Sequence, residues 1–331
     1  MDKDILLEIE DLYVQYNTDE SVVHALNGFS LKLYKGETLG LVGETGAGKT
    51  TMALSILQLL PERVGEITAG SIKYSDMNIL EISKKKLREM RGSEISMIFQ
   101  DPMTSLNPIL TVGEQIQEVL HLHFPDMPRT QQNQQVDEIM TLVGIPPERK
   151  QQYPHQFSGG MRQRIVIAMA LVAEPKLLLA DEPTTALDVT IQAQILILMK
   201  NLKERFNSAM IFITHDLGVV AEFCDSVAVV YAGEVIEHGT VEQVFARKSN
   251  HPYTHGLFEC LPDLTSTAKR LPHFEGVMVD PTNLPEGCKF ASRCHNCMEL
   301  CKQQSPNLYI SKEGHLIKCH LYARKETNGL E

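Results

Sequence analysis

Apolar and polar positions along the chain switch between two periods, and the switches predict an α/β protein. Leu6-Leu7-Glu8-Ile9-Glu10, Leu12-Tyr13-Val14-Gln15-Tyr16 and Phe29-Ser30-Leu31-Lys32-Leu33 alternate with period two, which predicts three short, half-exposed antiparallel strands. Thr38-Leu39-Gly40-Leu41-Val42 reads as a buried strand and is followed by an amphipathic helix from Thr51 to Leu60. Gly70 to Tyr74 predicts a further strand, and Ile95 to Gln100, Leu177 to Ala180 and Met210 to Thr214 predict buried ones. Ser226 to Val230 and Glu234 to Glu237, joined by Ala232-Gly233, read as a closing hairpin. Between these strands lie a solvated helical face at Lys84 to Arg88 and helical periodicity from about Val112 to Val143, broken by His123 to Pro128. An apolar helix from Ile165 to Val172 is ended by Pro175.

The first chemistry on this frame is Gly43-Glu44-Thr45-Gly46-Ala47-Gly48-Lys49-Thr50, which meets the full G-x-x-x-x-G-K-[ST] spacing between a predicted strand and a predicted helix. Its glycines let successive N–H groups point inward. Lys49 brings a cation to the β- and γ-phosphates, Thr50 offers a hydroxyl to Mg²⁺, and the helix aims its positive end at the anion. Phe157-Ser158-Gly159-Gly160-Met161-Arg162-Gln163-Arg164 opens a second helix in the same manner, so one chain carries two anion-binding helix ends.

Strand ends supply the remaining candidates. In a parallel α/β sheet the ligand sits beyond the carboxyl ends of the strands, where Gln100, Asp181, Glu182 and His215 all fall. Asp181 suits the outer sphere of Mg²⁺, and Glu182 suits polarising a water for in-line attack on a γ-phosphate. Gln100 offers an amide to Mg²⁺ or water, and His215 a contact to the γ-phosphate. Tyr16 precedes an acidic, polar turn; stacking on a purine and ordinary strand packing are both open readings for its ring.

Composition narrows the class. The 331 residues are 43% apolar, enough for a large core in one domain or two, and the net charge of -11 argues against a general nucleic-acid surface. No apolar run approaches the roughly 20 residues of a membrane span. The start Met1-Asp2-Lys3-Asp4 lacks the layout of a signal peptide, so a soluble, cytoplasmic chain is expected.

Tyr16, the phosphate loop, Gln100, Phe157 to Arg164, Leu177 to Glu182, Ala186-Leu187-Asp188 and His215 together resemble, in kind and order, the ATP-binding subunit of an ATP-binding cassette (ABC) transporter over roughly residues 5 to 245. The resemblance implies a P-loop ABC-type ATPase fold: a RecA-like core with an antiparallel β subdomain and a helical subdomain at about 102–173. It implies an ATPase domain at 1–249 and a small Cys-rich C-terminal extension at 250–331. By position it gives ATP binding to Tyr16, Gly43, Glu44, Thr45, Gly46, Ala47, Gly48, Lys49, Thr50 and Thr51, and Mg²⁺ to Thr50, Gln100 and Asp181. Catalysis goes to Glu182 as general base, with His215, Lys49 and Gln100.

The same resemblance implies a head-to-tail dimer in which Ser158, Gly159 and Gly160 meet ATP held by the other subunit's loop, while Asp188 communicates between the two sites. Phe157 stands where many relatives have leucine and keeps an apolar anchor. The implied partners are two membrane permease subunits, a second ABC ATPase, identical or homologous, and, indirectly, an extracytoplasmic solute-binding protein; nucleic acid is not among them. The implied location is peripheral, on the inner face of the cell membrane.

Phe99 to Pro108, Asn250-His251-Pro252-Tyr253-Thr254 and the C-terminal cysteines resemble the dipeptide and oligopeptide importers within that family. A nickel or other peptide-like solute importer shares much of this pattern. A soluble ABC ATPase of DNA repair or translation is the rival from another class, but it usually shows tandem cassettes or a long coiled-coil insertion, and neither occurs here.

Seven cysteines are present, five of them in the last 44 residues: Cys288, Cys294, Cys297, Cys301 and Cys319. In a cytosolic chain that clustering favours a metal site over disulfides, whereas Cys224 and Cys260 sit among apolar neighbours and read as small buried hydrophobes. Five residues separate Cys288 from Cys294, six separate Cys294 from Cys301, and seventeen precede Cys319. A [4Fe–4S] cluster, zinc with His295, His315 or His320 as further ligands, and free thiols all remain open on spacing. In importers that resemble this one a cluster is held by the positions matching Cys288, Cys294, Cys301 and Cys319, with Cys297 extra.

Overall fold

The computed structural model describes residues 4–185, 187–260 and 276–322. They fall into two compact units, one drawn from Leu7–Lys32, Leu39–Asp76 and Thr214–Glu331, the other from Met1–Leu6, Leu33–Thr38 and Met77–Ile213.

The first unit holds the phosphate loop. Its antiparallel part is built from β1 (Ile5–Asn17), β2 (Val22–Tyr34) and β4 (Gly65–Tyr74), with Leu7 opposite Tyr74 and Tyr16 opposite Gly65. The first two predicted strands are one strand. Asp11 takes a left-handed φ of 45°, and the register against β4 shifts between Glu10 and Tyr13, so the polar break in the pattern is a bulge within β1.

The parallel part pairs β3 (Thr38–Val42) with β9 (Ser226–Tyr231), Leu39 opposite Ser226. β10 (Glu234–Thr240) returns antiparallel to β9 through Ala232 and Gly233, both at positive φ (47° and 75°), which is the predicted hairpin. Next to β10 lies β12 (Leu316–Lys318), then β11 (Leu308–Ile310), so the C-terminal extension continues the sheet that begins with β3. Helix α1 (Lys49–Ile56) stops sooner than expected: Leu57 caps it, Gln58 turns left-handed at φ 47° and Pro61 follows.

The second unit carries β5 (Met77–Asn78), helix α2 (Lys84–Met90) with Leu87 and Met90 buried and its lysines outward, and a three-stranded parallel layer. That layer is β6 (Ile95–Ile98), β7 (Leu177–Asp181) and β8 (Ala209–Ile213), with β7 in the middle and buried at every residue. Between β6 and β7 come α3 (Pro102–Ser105), α4 (Val112–His123), α5 (Arg129–Leu142) and α6 (Gly159–Leu171), and after β7 comes α7 (Val189–Phe206). Thr111 and Glu114 close a capping box on α4, which fixes where that helix starts.

The remaining helices of the first unit are α8 (Leu217–Phe223), α9 (Val241–Phe245), α10 (Pro252–Glu259) and α11 (Glu299–Gln303). Tyr231, Tyr253 and Phe290 form its aromatic core, with ring centroids 4.8 to 5.5 Å apart. Cys224 and Cys260 are half-buried, which corrects the expectation that both are core residues; the Cys224 sulfur packs beside Gly40, where a Cβ would lie 3.0 Å from it.

Candidate active site

The phosphate loop follows β3 and ends on Gly48, the N-cap of α1, at φ 103°. A Cβ there would stand 2.7 Å from the Ala25 carbonyl oxygen, so strand β2 and the backbone angle both require glycine. Lys49 is buried, and its Nζ donates to the Gly43 carbonyl at 2.7 Å and the Glu44 carbonyl at 2.9 Å. These bonds lay the ammonium along the loop, where phosphate oxygens compete for the same protons. Thr50 is exposed at the mouth, and Thr51 is buried behind it. The Tyr16 hydroxyl and Thr51 Oγ1 share a hydrogen bond at 3.1 Å, which holds the Tyr16 ring beside the first turn of α1.

Glu44, inside the loop, is held at both ends of the residue. Its N–H donates to the Tyr253 hydroxyl at 3.0 Å, and its carboxylate takes both guanidinium nitrogens of Arg293 at 3.1 and 3.0 Å. Burial, followed by the Glu44 charge, raises the Tyr253 hydroxyl above the usual tyrosine pKa. His215 lies exposed between β8 and α8; its neighbour Thr214 donates its N–H to Leu41 of β3 at 3.2 Å, and Asp216 caps α8.

In the second unit β7 delivers Asp181, opposite Ile213 and 2% exposed, and then Glu182. Glu182 adopts φ 47°, unusual for a residue with a Cβ, and its N–H is held by the Ile213 carbonyl at 2.9 Å. Its Oε2 accepts from Gln100 Nε2 at 2.9 Å and from the Thr185 hydroxyl at 3.0 Å. Two residues singled out in the sequence, 82 positions apart, are thus in direct contact. Thr185 was not singled out, and its place three residues after Glu182 is the signal that would have found it.

Ser158 is the N-cap of α6, its Oγ accepting from Met161 N–H at 3.4 Å. The two glycines that follow differ. A Cβ on Gly160 would come 2.6 Å from Ile191 of α7, so packing requires that glycine, whereas a Cβ on Gly159 would meet nothing within 4 Å. Phe157 is buried beneath the Arg149 guanidinium, 4.3 Å from its ring centroid, and is the apolar anchor expected of it. Asp188 caps α7 by accepting from Ile191 N–H at 3.0 Å; Ala186, from the same stretch, lies outside the described residues.

Among the cysteines, burial, then Cys301 and Cys294, push the Cys288 thiol up to about 11. Burial, then Cys288, Cys294 and Cys301, push Cys319 up to about 12. Cys294 is likewise raised by burial and then by Cys297 and Cys301. The Cys288 N–H also donates to the Cys301 carbonyl at 2.7 Å. Among the described residues, however, no three His, Cys, Asp or Glu side chains form a group that holds a metal ion, which corrects the expectation of a formed metal site for cluster or zinc alike. The physical reason is packing: Cys288 and Cys294 lie against the Tyr231, Tyr253 and Phe290 core, and Cys319 against Ile317 and Tyr322.

Comparison with known proteins adds to this geometry. Residues 26–185 match the family described as ABC transporter, and residues 236–301 match the oligopeptide/dipeptide transporter C-terminal region. The dipeptide transport ATP-binding protein DppD of Bacillus subtilis is 48% identical, over 96% of this chain and 94% of its own length. The oligopeptide transport ATP-binding protein OppD of Salmonella typhimurium is 46% identical over 95% and 93%. Among solved structures, a dimeric ATP-binding cassette in a post-hydrolysis state, bound to ADP and Pi, superposes with a TM-score of 0.64 at 27% identity over 71% of this chain and 98% of its own.

Proposed function

This chain belongs to the ABC transporter ATPase family, it binds and hydrolyses ATP as the nucleotide-binding subunit of such a transporter, and we propose that the solutes imported are dipeptides or oligopeptides. One observation carries the solute class: beyond the cassette, residues 236–301 match the oligopeptide/dipeptide transporter C-terminal region. In this reading residues 1–249 are the ATPase domain, with its helical subdomain at about 102–173, and 250–331 are the extension. Two permeases and a second ATPase complete the machine, which works at the inner face of the membrane. Among the described residues no helix is long and apolar enough to cross a membrane.

The residues then act as follows. Lys49 and the loop amides from Gly43 to Thr51 hold the phosphates, and Tyr16 stacks on adenine. Thr50, Gln100 and Asp181 are oxygen donors of the hard kind that suits Mg²⁺, which supplies charge neutralisation between the phosphates. Glu182 orients and polarises the attacking water, with Gln100 and Thr185 fixing its carboxylate; His215 contacts the γ-phosphate. Ser158, Gly159 and Gly160 close on the partner subunit's nucleotide, and Asp188, as cap of α7, links the two sites.

The test is ATP-driven uptake into vesicles carrying this subunit, its second ATPase and two permeases, with binding protein added. Labelled di- and oligopeptides are expected to accumulate. Uptake of nickel without peptide would replace the solute class, and ATPase stimulation by DNA or RNA with no membrane partner would favour the soluble rival.

The Cys288 N–H donates to the Cys301 carbonyl at 2.7 Å and Cys288 and Cys294 pack against the same aromatic core, which supports a second reading: Cys288, Cys294, Cys301 and Cys319 take up a [4Fe–4S] cluster, which would tie the extension together. Anaerobically purified protein would then be brown and contain iron. Colourless protein with stoichiometric zinc would sink it.

A further inference from the structure

A carboxylate in a loop that binds phosphates is an electrostatic liability, because it repels the anion the loop is shaped to hold. Glu44 is such a residue. Its side chain is 29% exposed, and its own carbonyl shares the Lys49 ammonium. What compensates for it is Arg293, from 249 positions away, whose side chain is 4% exposed and grips both carboxylate oxygens in a fork. The guanidinium is set against the aromatic core, 5.8 Å from the Tyr231 ring centroid and 6.0 Å from that of Phe290.

Arg293 ends a short helical turn, Ala291–Arg293, whose last N–H bonds back to the Phe290 carbonyl, and Cys294 follows at once. Two further contacts run from the extension to the loop: the Tyr253 hydroxyl on Glu44 N–H, and Met278, whose Cε lies 3.1 Å from where a Cβ on Gly46 would be. The loop is braced from the C-terminal extension, through a residue held between two of its clustered cysteines.

We propose that Arg293 is a positioning residue of the nucleotide site: it neutralises Glu44 and fixes the loop backbone, so that the extension sets the affinity for nucleotide. This rests on the phosphate loop binding ATP and on neither the solute class nor what the thiols hold, so it stands or falls apart from those readings.

The experiment is titration of the intact protein with fluorescent ADP and ATP, alongside steady-state ATPase. Arg293→Met keeps bulk but removes the charge, and it is expected to weaken nucleotide binding about tenfold by leaving the carboxylate unopposed. The loss should sit in KM, with kcat at saturating ATP within about twofold of wild type. Adding Glu44→Gln removes the repulsion, so the double variant should recover to within about threefold of Glu44→Gln alone. Arg293→Lys, which keeps the charge without the fork, should fall between wild type and Arg293→Met, and melting curves of all four show whether the fold survives. Wild-type affinity in a folded Arg293→Met, or a double variant as weak as Arg293→Met, overturns the proposal. Should Arg293→Met fail to fold, an affinity for Arg293→Lys equal to wild type does the same.

Discussion

The two helix ends proposed to bind anions are built in opposite ways. The N-terminus of α1 is closed in: Gly48 leaves no room for a side chain, Lys49 is buried, and Glu44 is fixed by Tyr253 and Arg293. The N-terminus of α6 is open. Ser158 spends its hydroxyl on its own helix, and Gly159 faces space. A loop that wraps the nucleotide within its own chain gains from being fixed beforehand, since ordering it on binding would cost affinity. A helix end that completes another subunit's site must stay accessible until the subunits close. In the proposed reading the difference separates a half-site that binds from a half-site that reports closure.

The largest effect should come from the group neither helix end supplies. Glu182→Gln is expected to keep ATP binding at both ends and to lower turnover by about 10²- to 10⁴-fold, the usual worth of a general base. Single-turnover hydrolysis and filter binding measure the two separately. Near-normal hydrolysis would move the base elsewhere and leave the strained φ of 47° at Glu182 without a function.

The two signature glycines offer a second, smaller separation. Gly160→Ala puts a methyl 2.6 Å from Ile191 Cγ2 and should cost about 1–3 kcal/mol of stability as α6 and α7 shift apart. Gly159→Ala meets nothing, so its effect on stability should stay within about 1 kcal/mol. If the open face is where the partner's nucleotide docks, Gly159→Ala weakens ATP-dependent dimerisation of the Glu182→Gln protein while monomer binding is kept. Chemical denaturation and sedimentation in ATP check the pair. Equal stability losses at both glycines would erase the distinction between a packed and a presented face.

How much of this was legible beforehand follows from range. Local patterns survived: the loop spacing, the Ala232-Gly233 turn and the apolar run Leu177–Ala180 each predict their own neighbourhood because backbone geometry and period act over a few residues. Asp11 misled because a polar residue between two alternating runs looks the same whether the strand ends or bulges, and only pairing with β4 decides. The fork between Glu44 and Arg293, and the addition of β12 to the edge of β10, join segments tens to hundreds of residues apart and leave no local trace. The cysteines were legible as a cluster but not as a packed one, since sulfur fills a core as readily as it binds metal.

The last prediction tests the brace through pH. His251 caps α10 by accepting the Tyr253 N–H on Nδ1 at 3.0 Å, which requires that nitrogen to be unprotonated, while its own N–H is held by Glu237 at 2.8 Å. Burial pushes the imidazole down to about 3, below the 6.5 of an exposed histidine. Above pH 6.5 the ring is neutral folded or unfolded and contributes no pH dependence. As pH falls below 6.5 the unfolded chain takes up the proton and the folded one does not, so stability drops by about 1.4 kcal/mol per pH unit until the folded value is approached. His251→Asn retains an acceptor for Tyr253 N–H without the titration. Its unfolding free energy should therefore run parallel to wild type above pH 7 and fall less steeply, by about one proton, between pH 6 and 4. Bound nucleotide adds a stabilisation that does not depend on this proton, so the difference in slope between wild type and variant should be the same in nucleotide-free protein and in protein saturated with ATP. Identical slopes for wild type and variant would mean that His251 is protonated in the fold, and the cap that positions Tyr253 would have to be drawn differently.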